Sequence, residues 1–541
     1  FSTLVILFIY NFYTVISIDP IHRMCYTLFL FTLAFLGIDI TLRSYLAHAS
    51  RKGLGVILYS IAFISLVIIQ IIFFSIPLTM IGYNVLFGRK VDMDFFFPIF
   101  QTNIFEVQEF VLGFLPYSVW IYVFIFCGVM WYIQRKSIVH IGRKKTYYLG
   151  VCSCVLLVLL VTLNIQRHLI LYTMYVDAKH VYYSAPLAYT LHREENIQKL
   201  KINELKKKGL YVVIIGESAT RLGWGAYGYY RDTTPFISSN LTNPNYVLIN
   251  RAYSPADSTE QSLFYVLTSM SQYIPVNDTE ILSIVDVLKK AGLKTIWISN
   301  HGVYNTNSAK VRSVSDEADI VISDIEGKVQ VQQYDEYLLP YIEKVLHEEE
   351  HEGGTVLFIH LYGSHLRFYH RYDRAKYSIF SDTPRYEEGK NIDPASINHY
   401  DNSIYATDDL LRRITEMVEN RDDFEFLVYV SDHGEGVYKG VLRGNPQSFP
   451  DVIEVPLYFY MSNKYIKEHK ERVEILRTHA TQGYSTDMLF DTLLGLFTIE
   501  GNWYRAEHDL SSPLYMHNYE TLKTKSGTTY VHSLFTEKKD T

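Results

Sequence analysis

The sequence predicts an all-α, membrane-spanning first third followed by an α/β domain carried outside the membrane. Three observations predict it. Charge is unevenly spread over the 541 residues. Long apolar runs crowd the first 165. Beyond them, short apolar runs recur, and several lead directly into polar residues suited to catalysis or metal binding.

Residues 1–165 hold eleven Lys/Arg and six Asp/Glu, so this part is about 10% charged and nets +5. The rest is about 24% charged and nets −12, a contrast hidden in the overall −7. A single soluble globule and a basic nucleic-acid binder are both excluded. An aromatic content of 15%, with 45 Tyr, argues against long disordered stretches.

The apolar runs cover 1–18, 24–38, 53–83, 117–133 and 147–163. A helix needs roughly 20 residues to cross hydrocarbon. One short run would be read as a buried core helix; five in succession read as five spans. A chain starting at Phe1 implies residues before it. Arg43, Arg51 and Lys52 lie between the second and third runs, and Arg135, Lys136, Arg143, Lys144 and Lys145 between the fourth and fifth. Both loops should be cytoplasmic, which places the N-terminus inside and everything after about residue 165 outside. The first span then serves as the export signal. Loop 84–116 also falls outside, and it is aromatic and acidic. All four cysteines (Cys25, Cys127, Cys152, Cys154) precede residue 165, so the exported part has no disulfide. Its core is large enough to stand without one. The predicted organisation is 1–165 membrane domain, 166–210 connecting helices and 211–541 exported domain, with 193–208 helical and solvated.

In the exported part, 211–215 runs into Gly216-Glu217-Ser218 and 295–299 into Asn300-His301-Gly302. Run 355–360 leads to Gly363-Ser364-His365, 426–430 to Ser431-Asp432-His433-Gly434-Glu435, and 455–460 comes last. In open α/β sheets the site lies outside the carboxyl ends of the strands. Glu217, His365, Asp432 and His433 should therefore converge. An oxygen and nitrogen ligand set without Cys suits zinc first and manganese second. By itself, Asp-His-Gly is more often a polar turn. Ser258 or Thr259 opens a helix, where an ordinary N-cap is the default. The same geometry would suit a hydroxyl nucleophile with backbone amides facing a phosphate, and both readings stay open. His365 suits acid–base work near neutral pH. His360 reads as a satisfied core histidine, and His370 and His399 are weaker candidates.

These motifs resemble a known family. Gly216-Glu217-Ser218-Ala219-Thr220-Arg221 and Tyr227-Gly228-Tyr229-Tyr230-Arg231-Asp232-Thr233-Thr234-Pro235 resemble the signature of bacterial inner-membrane phosphoethanolamine transferases, in the alkaline phosphatase/sulfatase superfamily. Ser258-Thr259-Glu260-Gln261-Ser262-Leu263, Ser299-Asn300, His360 through His365, Tyr400-Asp401-Asn402-Ser403 and Ser431 through Glu435 come in the family's order. The resemblance covers nearly the whole chain. It implies a five-helix membrane domain, an alkaline-phosphatase-like (sulfatase-like) α/β catalytic domain in the periplasm, and zinc. Glu217, Asp432 and His433 match the metal ligands, with Thr259 as fourth ligand and nucleophile. His365 matches the histidine near the transferred phosphate. In the outer loop, Thr102 and Glu106 match substrate-contacting residues.

Two departures stand out. Where lipid A-modifying relatives have Leu-His-Gly, this chain has Leu442-Arg443-Gly444. Arginine cannot bind zinc but can hold a phosphate through two parallel hydrogen bonds, so a single zinc with an arginine clamp is expected. The cysteines that flank the nucleophile in lipid A enzymes are also absent, which favours other surface sugars such as lipopolysaccharide core. The resemblance implies a monomer that takes phosphoethanolamine from phosphatidylethanolamine and passes it to a surface glycolipid through Thr259. A sulfatase is disfavoured, because the exported part lacks Cys and Ser254-Pro255-Ala256 does not fit the sulfatase nucleophile motif. A phosphoglycerol transferase, a phosphodiesterase and a non-catalytic lipid-binding protein are the alternatives.

Overall fold

A computed structural model describes residues 143–162, 170–202, 209–301, 309–323, 334–348, 354–385, 393–440, 449–501 and 503–536, with scattered positions before 143. The strands are β1 (Leu210–Gly216), β2 (Tyr246–Leu248), β3 (Arg251–Tyr253), β4 (Lys294–Ser299), β5 (Ile320–Ile322) and β6 (Thr355–His360), then β7 (Phe424–Ser431), β8 (Glu454–Val455), β9 (Leu457–Met461) and β10 (Gly483–Ser485). The principal helices are α1 (Arg143–Thr162), α2 (Ile170–Lys199), α3 (Thr259–Val266), α4 (Ile284–Lys290), α5 (Leu339–Glu348), α6 (Pro394–Val418) and α7 (Leu489–Leu496).

Alternation within continuously apolar strands makes a sheet that is buried on both faces. In β1, Tyr211, Val213 and Ile215 join one apolar cluster and Leu210, Val212 and Ile214 the other. Phe426, Val428 and Val430 of β7 belong with the first set; Leu427 and Tyr429 belong with the second. Helices α3, α4 and α7 cover the first face and α5 and α6 the second. The seven strands run in the order β2-β9-β7-β1-β6-β4-β5. From β7 to β5 all neighbours are parallel, while β9 runs antiparallel to both β7 and β2. Six carboxyl ends, those of β2, β7, β1, β6, β4 and β5, therefore open on one edge. The register sets Gly216 opposite Ser431 and Ile215 opposite His360, so the loop leaving β1 lies between the loops leaving β7 and β6.

The expected strand 455–460 is two strands. Pro456 has no N–H for a ladder and separates β8 from β9. β8 pairs with β3 in a second sheet of order β10-β3-β8, while β9 pairs with β7.

Contacts divide the chain into two units, with the boundary inside α2 between Tyr182 and Tyr183. The fifth apolar run falls in α1, whose Tyr147, Tyr148, Val151, Val155, Val158 and Leu159 are exposed. Among the described residues, no helix is long and apolar enough to cross a membrane. In α1 the cations Arg143, Lys144 and Lys145 leave about 17 residues, roughly 26 Å of helix against ~30 Å of hydrocarbon. Apart from scattered positions, the other four expected spans lie outside the described residues.

The stretch expected to be helical and solvated, 193–208, is helical to Lys199, with Glu194, Glu195, Gln198 and Lys199 exposed. Arg193 and Asn196 instead dock on the α/β domain, and residues 203–208 lie outside the described residues. Ala185 and Tyr189 are buried in the first cluster. Tyr189 donates to Asp286 at 2.6 Å, and Arg193 reaches the same buried carboxylate at 2.7 and 2.9 Å. Asn196 donates to the Thr279 carbonyl at 2.9 Å. Removing the guanidinium leaves Asp286 buried and short of a countercharge. Arg193→Ala should therefore cost about 3 kcal/mol, read as a lowered urea midpoint in equilibrium unfolding.

Candidate active site and metal centre

Adjacent parallel strands bring two carboxylates together. Glu217 comes directly after β1 and Asp432 directly after β7, and both are fully buried with His433. His433 Nε2 lies 3.2 Å from Asp432 Oδ2 and 3.5 Å from Glu217 Oε1. Its Nδ1 meets the Gly434 carbonyl at 2.9 Å, which makes Nδ1 the protonated nitrogen and leaves the Nε2 lone pair toward the carboxylates. The Glu217 main chain is held from the β6 side. Ser364 N–H donates to its carbonyl at 2.9 Å. Gly363, at φ +51°, passes so close that a Cβ there would sit 2.5 Å from that oxygen.

Thr259 completes the group. The sheet of β3, β8 and β10 delivers the loop before it: Ser254 N–H bonds the Ile453 carbonyl at 2.7 Å, and Ser254 Oγ donates to the Asp432 carbonyl at 2.6 Å. Thr259 is the first residue of α3, and Ser258, at the N-cap, makes no side-chain cap hydrogen bond. The ordinary capping reading therefore fails for both hydroxyls. Instead, Thr259 Oγ1 donates to Glu217 Oε2 at 3.0 Å and lies 3.2 Å from His433 Nε2. It alone of the four is only partly buried.

Burial is the main force on the acids. It pushes Glu217 up to about 6, with Asp432 adding repulsion, and Asp432 likewise up to about 6. Asp432 Oδ2 is buried without a hydrogen bond. Two carboxylates and a histidine within 4.8 Å, one oxygen unpartnered, make a group that could hold a divalent cation. The residues fit zinc.

His301 and His360 flank Glu217 on the other side and, with it, form a second group of possible ligands. His360 is buried as expected, but its Nε2 is unpartnered rather than satisfied. The two imidazoles stack 4.1 Å apart and 13° from parallel, and His301 Nε2 meets the Leu361 carbonyl at 2.9 Å. His365 stands on the β6 loop, edge-on to Tyr362 at 5.1 Å. His399 is taken up by Tyr372 at 2.7 Å, and His370 packs on Tyr369 at 4.0 Å. Thr102, Glu106 and Arg443 lie outside the described residues.

A sulfatase-family profile matches residues 210–499. A putative phosphoethanolamine transferase of Haemophilus influenzae is 30% identical over 393 residues, covering 67% of this chain and 73% of that protein. The chain belongs to the phosphoethanolamine transferases of the sulfatase family. Two solved transferases share the fold. The integral membrane lipooligosaccharide phosphoethanolamine transferase A of Neisseria meningitidis superposes with TM-score 0.59 at 20% identity, covering 88% of this chain and 97% of that one. The zinc complex of the periplasmic domain of Escherichia coli EptC gives 0.53 at 23%, covering 59% and 91%.

Several transferase motif residues support the site from behind. Asp401 on α6 takes Arg231 at 2.7 Å, Tyr229 at 3.0 Å and Tyr438 at 2.7 Å. Ser403 Oγ bonds Ser364 Oγ at 2.8 Å. Sequence reasoning missed Asp335, a buried carboxylate that accepts from Asn300 Nδ2 and from Tyr362 and Gly363 N–H, all at 2.7 Å. It ties the β4 end to the turn that packs on Glu217, and only its acidity in a polar stretch marked it. The raised acids also set a pH dependence. With folded values near 6 against 4.5 and 3.8 for free groups, their contribution to the metal-free protein is complete below about pH 4. It is lost as pH rises through 6. Metal-free enzyme should therefore melt higher near pH 5 than at pH 7.5, and zinc should reverse the order in calorimetry.

Proposed function

We propose that this transferase moves phosphoethanolamine from phosphatidylethanolamine to a surface glycan, lipopolysaccharide core or lipid A, through a covalent adduct on Thr259. The observation that carries the reading is Thr259 Oγ1, partly exposed, within hydrogen-bond distance of both Glu217 and His433 at the N-terminus of α3. The acceptor class is taken from the lipooligosaccharide named for the Neisseria transferase, and the lack of cysteines around Thr259 favours core sugars.

Glu217, Asp432 and His433 hold zinc. Bound there, it would lower the hydroxyl pKa and neutralise charge developing on the phosphoryl group. The chain's own residues do the rest. Thr259 Oγ1 passes its proton to solvent, from which it is regained when the Oγ1–P bond breaks again, and forms a bond to phosphorus as the bond to the diacylglycerol oxygen breaks. The first N–H groups of α3 face the phosphoryl oxygens. His365 gives a proton to the departing diacylglycerol oxygen and then takes one from the acceptor hydroxyl. The acceptor oxygen bonds phosphorus as the Oγ1–P bond breaks, which restores Thr259. Arg443, where a second histidine is expected, favours one metal over two. Arg443 serves as a phosphate clamp, and Thr102 and Glu106 contact the donor head group. The first part of the chain anchors the enzyme in the inner membrane by five helices, with residues 211–541 in the periplasm near the outer leaflet that supplies the lipid.

Intact-mass measurement after incubation with phosphatidylethanolamine should show one phosphoethanolamine adduct on wild type and none on Thr259→Ala. An adduct surviving in the variant overturns the assignment. A glycerophosphate adduct formed only with phosphatidylglycerol would instead mark a phosphoglycerol transferase. Thr259→Ala should also lower transfer at least ~10³-fold, and His365→Ala about 10²–10⁴-fold, in assays of labelled head-group release.

A further inference from the structure

Ser218 occupies backbone that a glycine would adopt more easily. Its φ is +58°, in the left-handed region, and it is fully buried. Every polar group it has is in use. The hydroxyl donates to Glu217 Oε1 at 2.6 Å, and the amide donates to Asp432 Oδ1 at 2.9 Å. The carbonyl accepts from Tyr400 of α6 at 2.7 Å, and the same phenol oxygen accepts from Thr220 N–H at 2.8 Å.

The consequence is a sorting of four carboxylate oxygens. Glu217 Oε1 is engaged by Ser218, while Oε2 is the oxygen facing Thr259. Asp432 Oδ1 accepts from Ser218 and His433 N–H, the latter at 2.6 Å, while Oδ2 is unpartnered beside His433 Nε2. We propose that Ser218 is the positioning residue of the metal centre. It holds one oxygen of each carboxylate. This orients Glu217 Oε2 toward Thr259 and leaves Asp432 Oδ2 available beside His433 Nε2, although Glu217 Oε1 also lies 3.5 Å from that nitrogen. The left-handed backbone is retained for the sake of the Ser218 hydroxyl. This rests on Glu217, Asp432 and His433 being the zinc ligands. Groups that orient metal ligands typically account for 10–100-fold in affinity.

The test uses detergent-purified full-length protein, stripped of metal and titrated with zinc against a chromophoric chelator, together with thermal melts of the metal-free form. Ser218→Gly removes the hydroxyl, keeps the amide and relieves the backbone. It should bind zinc at least about 10-fold more weakly while melting no lower than wild type. Ser218→Ala, which keeps the left-handed backbone and also lacks the hydroxyl, should lose as much affinity. Zinc binding by Ser218→Gly within about two-fold of wild type overturns the inference. So does a metal-free melt of Ser218→Gly well below wild type, since the hydroxyl would then serve the fold. His433→Ala separates the two readings: if it binds zinc as wild type does, the ligand assignment itself fails.

Discussion

Two acids and a histidine, groups that resist burial away from water, sit side by side at the ends of β1 and β7, and the rest of the domain is arranged around that cost. Glu217 and Asp432 are brought together by a parallel register that sets Gly216 beside Ser431. Neither acid can move away, since each is anchored to a strand buried on both faces. Burying like charges is tolerable only with proton uptake or a cation. The first shows in the raised pKa values of both acids and the second in the geometry of the donor set. A cation held there would be next to a hydroxyl that is only partly buried. Stability and chemistry therefore meet at one point.

The surroundings show how the position is enforced. Asp401 gathers an arginine and two tyrosines under the β1 turn. Tyr400 on the same helix holds the Ser218 carbonyl. Asp335 reaches from a different connection to tie the β4 and β6 ends together. These residues need not touch a substrate. Buried polar groups that are fully hydrogen-bonded fix a single geometry, and a two-carboxylate centre needs that rigidity.

Much of the fold was legible because the parallel core announces itself. Strands buried on both faces must be apolar at nearly every position, so β1, β4, β6 and β7 stand out, each leading into polar residues. Strands of only three residues, such as β2, β3, β5 and β10, are too short to carry such a mark. The run 455–460 misled because hydropathy does not register that Pro456 lacks an N–H. Thr259 could not be told from an N-cap, since both readings ask for a hydroxyl at a helix start. His301 was passed over because its place beside Glu217 depends on β6 lying between β1 and β4.

What the sequence determined by itself was local chemistry and periodicity: the division by charge, the main parallel strands, and polar residues such as Glu217, Asp432 and His433 set at their ends. These come from side-chain type and spacing, which are written along the chain. What only the tertiary structure decided was partnership. Ser218 next to both carboxylates, Asp335 beneath the Gly363 turn, the stacking of His301 on His360 and the docking of Arg193 on Asp286 each join residues from different elements. Strand order and register set those meetings. They depend on how both faces of the sheet are covered together, and no local window of residues contains that information.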